Sequence, residues 1–409
     1  MGRRVGALLA LTAVAAATAF VLPPRMAPPE ALPGLVTTAD WRAGPSVGGG
    51  HAGDALLLPV RDAAWLATGS VTGSRPSSAV VSRALLDLHA LQQPDGAVLA
   101  GPSGIWAYVW PRDTAFAAAA YAVSGHPEDA TRALVFLARV QLPDGGFEAR
   151  YLPDGSGPPD DRQRQTDGAG WVLWALDRVR AATGEATVPV QLRGLRDRAT
   201  DFILARTDDG TRLPDPSPDY WEVPERRLTL GTAAPLAAGL EAAARTYAAE
   251  GSSPRADRVG RAATAFRSLV LDRFGPAFER HGDTGGLDAG VAMLLPPFAD
   301  GAGVPAAVRD AWRAYQEAAR RPGGGLAPGA DWKQDGVSWT PETALVAYTA
   351  AMDGDRRTAR DRLDWVESRA TAWGSLPEKV LPDGSPAGPA PLAWTAALVV
   401  LTEHALSVS

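Results

Sequence analysis

The chain has 409 residues, no cysteine, and a net charge of −6 from 46 acidic and 40 basic residues. The missing cysteine excludes a disulfide scaffold, a thiol enzyme and a Cys-ligated metal site, and an apolar content of 46% excludes a disordered chain. A mildly acidic balance argues against a nucleic-acid partner or an anionic membrane surface, and the 13 Trp stand out, because Trp makes a flat binding platform.

Arg3 and Arg4 precede an uncharged apolar run over 5–22. A basic start, an apolar stretch and the small-residue site Ala17-Thr18-Ala19 form an export signal. The run is also near the lower length limit of a spanning helix, so it either is cleaved or anchors the chain in a membrane. Residues 1–22 are therefore read as a signal peptide or N-terminal anchor, and the protein as extracellular or cell-surface. Pro23-Pro24 and Pro28-Pro29 open a Pro/Gly-rich linker and lead-in over 23–76. Within it, Gly48-x-Gly50-x-x-Gly53 matches the dinucleotide fingerprint as text, but it follows no strand and opens no βαβ unit.

From residue 77 onward apolar residues recur at helical spacing, broken by Gly, Pro and Asp. The pattern predicts helices over 78–92, 114–123, 127–140, 170–183, 192–205, 229–249, 256–274, 288–296, 305–320, 340–352, 356–370 and 391–405. Short strand signals occur only at 97–99 and 147–151. Pro-Asp-Gly recurs at 94–96, 143–145, 153–155 and 382–384, where Pro and Gly set a tight turn and Asp caps it. Some helices, such as 114–122, are apolar all round and so are buried on all sides. Buried helices alternating with half-exposed ones imply two concentric rings: an all-α protein, an α/α barrel over 77–409. An α-solenoid is the alternative, but no fixed-length repeat supports it.

The chain has no Walker A loop, no His-Glu-x-x-His and no Gly-x-Ser-x-Gly, and its five histidines are scattered singly. What remains is a set of loops rich in carboxylate and Trp, each ahead of a buried helix. Tyr108, Trp110, Arg112 and Asp113 crowd the first. An Arg–Asp neighbour pair can bind adjacent sugar hydroxyls as donor and acceptor, or it can be a structural ion pair at a helix start. Gln165 and Asp167 occupy the second loop, as sugar ligands or as helix caps. In the third, Tyr220 and Trp221 precede Glu222, and desolvation by these aromatics would raise its pKa as a general acid requires. Trp339 stands in the fourth, and Glu378 with Lys379 in the fifth. Two carboxylates on separate loops with aromatic walls are the minimum for glycoside hydrolysis, and no metal or cofactor is required.

This combination resembles the glucoamylase-like family of inverting glycoside hydrolases, family 15. The similarity runs from about residue 82 to 405. It is carried by Tyr108-Val-Trp-Pro-Arg-Asp113, Gly170-Trp-Val-Leu-Trp-Ala-Leu176, Tyr220-Trp-Glu222, Leu287-Asp-Ala289 and Leu376-Pro-Glu378 through Trp394, in the family's order. The resemblance implies an (α/α)6 barrel with its site at the mouth, Glu222 as general acid and Glu378 as general base. It places Arg112 and Asp113 on the terminal sugar and Trp110 and Trp339 along the sugar subsites. Val223 stands where the family pairs a second Glu with the acid, and the usual Asn-Pro before Trp339 is absent. The expected partner is an oligosaccharide or polysaccharide α-glucoside, acted on by a monomer. The alternatives are a non-catalytic sugar-binding barrel and another α/α-barrel enzyme such as a lyase. From the sequence neighbours alone, Glu222 is expected to keep its proton to higher pH than a better-solvated Glu378.

Overall fold

The computed structural model describes residues 60–71, 77–251 and 253–408; residues 1–59, with the predicted signal or anchor, lie outside that range. Helix α1 (Val60–Thr68) lies within the segment read as a lead-in. Its Trp65 lies stacked between His89 and His126, 4.0 Å from each, and donates to Asp129 at 2.9 Å. This helix was not anticipated, because it is held by contacts distant in sequence.

The rest forms two rings. The inner one comprises α3 (Pro111–Val123), α5 (Gly168–Ala182), α7 (Leu230–Ala249), a 3₁₀ segment (Ala289–Leu294), α10 (Thr340–Met352) and α12 (Ala393–Val408). The outer one comprises α2 (Ser77–Leu91), α4 (Pro127–Val140), α6 (Val190–Thr207), α8 (Pro254–Phe274), α9 (Ala306–Ala318) and α11 (Arg356–Glu367). Six outer–inner pairs close into an (α/α)6 toroid. The sequence explains the assignment to rings. In α3 every residue from Pro111 to Ala122 is buried, whereas α4 buries Ala130, Ala133, Leu134, Leu137 and Val140 at helical spacing, with Asp129 and Phe136 beside them, and leaves Glu128, Arg132, Val135 and Arg139 exposed. Proline fits the first turn of α3, α4, α8 and α10, where an N–H would lack a partner.

The segment predicted as a helix over 288–296 is the exception: it is a single 3₁₀ stretch filling one inner-ring position. It lies against α7 so closely that a Cβ on Gly290 would come within 2.9 Å of the Gly231 nitrogen, and Pro296-Pro297 removes two donors that a longer helix would use. The strand signals at 97–99 and 147–151 yield only single bridges, Gln92–Val98 and Val109–Tyr151. The named strands are β1 (Ser338–Trp339), β2 (Lys379–Val380) and β3 (Pro386–Ala387), paired antiparallel in that order.

All four Pro-Asp-Gly segments form the same turn. Gly96, Gly145, Gly155 and Gly384 have φ of 95°, 89°, 73° and 88°. The preceding Asp accepts from the backbone N–H two residues on, for instance at 2.9 Å in Asp383–Ser385.

The connections are asymmetric. Inner-to-outer links are short, such as 124–126, 183–189 and 353–355, whereas outer-to-inner links are long, such as 92–110, 141–167, 208–229 and 368–392. Long loops therefore gather where the inner helices begin. Below them Phe116, Trp171, Trp174, Phe298 and Trp394 fill the barrel axis, with ring centroids 4.7 to 5.8 Å from Phe116 or Trp174. The toroid is thus plugged and its cavity opens at one end. Several of the Trp are core after all.

Candidate active site

The cavity at the loop end has about 690 Å³ of empty space, open solvent at its mouth included. Its lining includes Glu222, Glu378, Trp110, Arg112, Asp113, Trp221 and Trp339. Each comes from a loop preceding an inner helix or from that helix's first turn. Arg112 and Asp113 begin α3, where N-terminal N–H groups favour a carboxylate. Both are buried, with Arg112 Nη2 donating to Asp113 Oδ2 at 3.0 Å and the guanidinium 4.5 Å over the Trp394 ring. Burial pushes the Asp113 carboxyl up, against the opposing pull of Arg112.

Glu222 has φ of 56°, a left-handed conformation that costs a side-chain-bearing residue about 1 kcal/mol or more. The turn is imposed from below. Asp219 Oδ1 accepts from the Trp221 N–H at 2.9 Å and the Asp219 carbonyl accepts from the Glu222 N–H at 2.8 Å. Asp219 is itself gripped by buried Arg280, which also donates to Glu225 and Asp288, at 2.7 to 2.9 Å, and lies 3.7 Å over the Trp221 ring. This network holds Glu222 toward the cavity, where its carboxylate meets Arg162 and, at 3.7 Å, Arg112.

Here the environment departs from expectation. The aromatic neighbours do not wall the Glu222 carboxyl: Tyr220 turns away to donate to Asp288 at 2.6 Å, and Trp221 packs on Arg280 and Trp332. Glu222 keeps 23% of its side chain exposed. Glu378, expected to be the better solvated, keeps only 12% of its side chain exposed. Burial raises its pKa and nearby Glu222 adds to that; Lys379, 3.0 Å away, and the Trp106 indole N–H, 3.4 Å away, oppose it. Sequence neighbours misled because the relevant groups arrive from other loops.

Three predicted ligands stand behind the lining. Tyr108 packs under the Arg150 guanidinium, 4.9 Å from its ring, rather than on the cavity. Gln165 donates to the Asp219 carbonyl at 3.1 Å and so braces the Glu222 turn. Asp167 accepts from the Trp171 indole at 2.9 Å, and burial pushes its pKa to about 7 despite Arg112. The cavity also gains Trp106, Arg150, Arg162, Glu342 and Trp394, which were not chosen as ligands. Trp394 closes a motif already singled out, and Trp106 stands two residues ahead of the first one. Arg150 and Arg162 precede Gln165 in the second loop with no Trp beside them, and Glu342 is hidden in an apolar helix.

No family model matches the sequence. The chain is 29% identical over 338 residues to an isomaltose glucohydrolase of Kribbella flavida, covering 75% of this chain and 82% of that protein. It is 28% identical over 145 residues to an uncharacterized glycosyl hydrolase of Methanocaldococcus jannaschii, a match spanning 35% of this chain and 23% of that protein. Among solved structures, a glycosidase in complex with glucose superposes with TM-score 0.70 at 22% identity, over 85% of this chain and 99% of that one. A glucoamylase from Saccharomycopsis fibuligera superposes with TM-score 0.64 at 13% identity, over 82% of this chain and 96% of that one. The structures show a shared fold, and with the sequence relatives they bear out the resemblance to glucoamylase-like glycoside hydrolases.

Proposed function

We propose that this glucoamylase-like chain is an exported, monomeric glycoside hydrolase that releases the terminal sugar of an α-glucosidic oligosaccharide with inversion. The observation that carries the reading is that Glu222 and Glu378, from separate loops, line one Trp-walled cavity with Arg112 and Asp113 at its buried side. A plugged cavity admits a chain end, which suits exo cleavage. Isomaltose is the first substrate to test, because the relative of highest coverage in sequence is named for it. Export rests on Arg3, Arg4 and the run over 5–22; among the described residues no helix is long and apolar enough to cross a membrane.

In the mechanism, Glu222 protonates the leaving oxygen as the glycosidic bond breaks. Glu378 takes a proton from water, which attacks the anomeric carbon from the opposite face. Glu378 must be ionised for this, and Lys379 and the Trp106 N–H stabilise that form against burial. Glu222 must carry a proton, so bound sugar has to displace its Arg162 contact. Burial alone favours a second reading with the roles exchanged, since Glu378 is the more enclosed carboxyl and Glu222 touches two guanidiniums.

One substrate pair separates the readings. Fluoride leaves with little proton assistance, so α-glucosyl fluoride bypasses the general acid but still needs the base. Glu222→Gln should lose on the order of 10²-fold or more in kcat on isomaltose and keep most of its turnover of α-glucosyl fluoride. Glu378→Gln should lose both. The opposite pattern would establish the exchanged roles, and wild-type turnover by both variants would remove the carboxylate mechanism. NMR of the first-formed anomer reads inversion directly.

A further inference from the structure

Glu342 is a carboxyl on the cavity lining to which the mechanism above gives no role. It lies in the first turn of α10, on the inner ring, and is 2% exposed. Its Oε2 is enclosed and has no hydrogen-bond partner within the protein. Across the same lining, Arg112 has Nε and Nη1 enclosed and equally unpartnered. Unmade buried hydrogen bonds cost ~1–3 kcal/mol each, and here donors and an acceptor from two different inner helices open onto one cavity. Vicinal hydroxyls of a sugar match that set.

We propose that Glu342 is a substrate-binding residue that meets a hydroxyl of the terminal sugar as a neutral carboxylic acid, facing Arg112. The inference rests on the sugar-hydrolase reading and names a ligand that reading lacks. A neutral carboxyl both donates and accepts, so it serves a hydroxyl from either direction. The charged and titratable groups facing it are Arg112 on α3, Glu378 ahead of α12, Asp288 ahead of the 3₁₀ segment and Tyr315 on α9. Desolvation dominates; Glu378 and Asp288 add to it, Arg112 opposes, and the pKa of Glu342 rises to about 8. Neutrality also serves Glu378, which a second anion alongside would hinder from ionising.

The test is calorimetric binding of D-glucose and its four monodeoxy analogues, from pH 5.5 to 9.5, to wild type, Glu342→Gln and Glu342→Ala. Wild type should bind glucose more weakly above pH 8, taking up as much as one proton per sugar. The Gln variant should bind within about threefold of wild type at pH 6 and show no such proton uptake. The Ala variant should bind glucose at least about tenfold more weakly and cease to discriminate against one deoxy analogue. Melting curves of both variants identify loss of folding, and the near-isosteric Gln variant carries the proton readout if Ala unfolds. Wild-type affinity in a folded Ala variant, or unchanged proton uptake in Glu342→Gln, overturns the proposal. So does loss of kcat in Glu342→Gln with glucose binding intact, which would make Glu342 a reacting carboxyl. Glucose binding by a wild type that turns over neither isomaltose and other α-glucosides nor α-glucosyl fluoride would instead overturn the hydrolase reading alone. Wild type that binds no sugar overturns both.

Discussion

At the scale of single residues, the site shows how far a side chain's chemistry depends on what reaches it through space. The pair Glu378–Lys379 looks in sequence like a solvated surface pair. In the fold, Glu378 is enclosed and Lys379 is the main group holding its pKa down, while the Lys379 ammonium also lies 4.4 Å over the Trp339 ring. Removing that ammonium therefore raises the Glu378 pKa. With Glu378 as the base, the ionised form is the active one, so the acidic limb of kcat against pH moves to higher pH in Lys379→Met. At pH values below the limb the loss should be about tenfold, in line with the ~1.5–3 kcal/mol of a hydrogen bond to a charged group, and near the optimum it should be under about threefold. An acidic limb that stays in place would show that Glu378 does not govern it.

At the scale of elements, the inner ring is set by close helix contact as much as by apolar stripes. Where α5 crosses α7, a Cβ on Gly170 would stand 2.2 Å from the Pro235 carbonyl oxygen, and one on Gly239 would stand 2.5 Å from the Gly170 Cα. The obstacle in each case is backbone, which cannot swing aside. Gly239→Ala should therefore cost about 1–3 kcal/mol in urea unfolding, although alanine is the better helix former. Gly260, inside outer helix α8, supplies the control: a Cβ there meets nothing within 4 Å. Gly260→Ala should stabilise by up to ~1 kcal/mol, from helix propensity alone. If both substitutions stabilise, the α5–α7 crossing is looser than described.

At the scale of the whole molecule, burying carboxyls at the loop end of the barrel ties stability to pH. Asp167 and Glu342 titrate near 7 and 8 in the fold against ordinary values of 3.8 and 4.5, both through desolvation. The folded state thus holds protons that the unfolded chain has already released. Stability from these groups is complete at low pH, declines as pH rises from about 4 through 8, and then levels. Asp87, Asp113, Asp288 and Glu378 are shifted in the same direction. Melting temperature should therefore fall between pH 5.5 and 9, and Glu342→Gln should flatten the upper part of that decline. A melting temperature that climbs over this interval would contradict the buried-carboxyl account.

The sequence by itself determined the helices from residue 77 onward apart from the 3₁₀ segment, their alternation between fully and half-buried, the four Pro-Asp-Gly turns and the loops that bear the chemistry. These are local: 3.6-residue periodicity, proline at helix starts and an Asp–Gly turn depend on near neighbours. Glu222, Glu378, Arg112, Asp113, Trp110, Trp221 and Trp339 were legible because they cluster with Trp or Arg in loops ahead of apolar helices. Only the tertiary structure decided which way side chains face within those loops. Gln165 turns back to brace the Glu222 turn, Asp167 turns to the Trp171 indole, Tyr108 sits under Arg150, and Arg162 crosses from another loop to Glu222. Only the fold reversed the solvation of the two Glu and exposed Glu342 as a cavity residue, since burial and Coulomb fields sum over everything nearby in space, and ring closure brings together segments hundreds of residues apart.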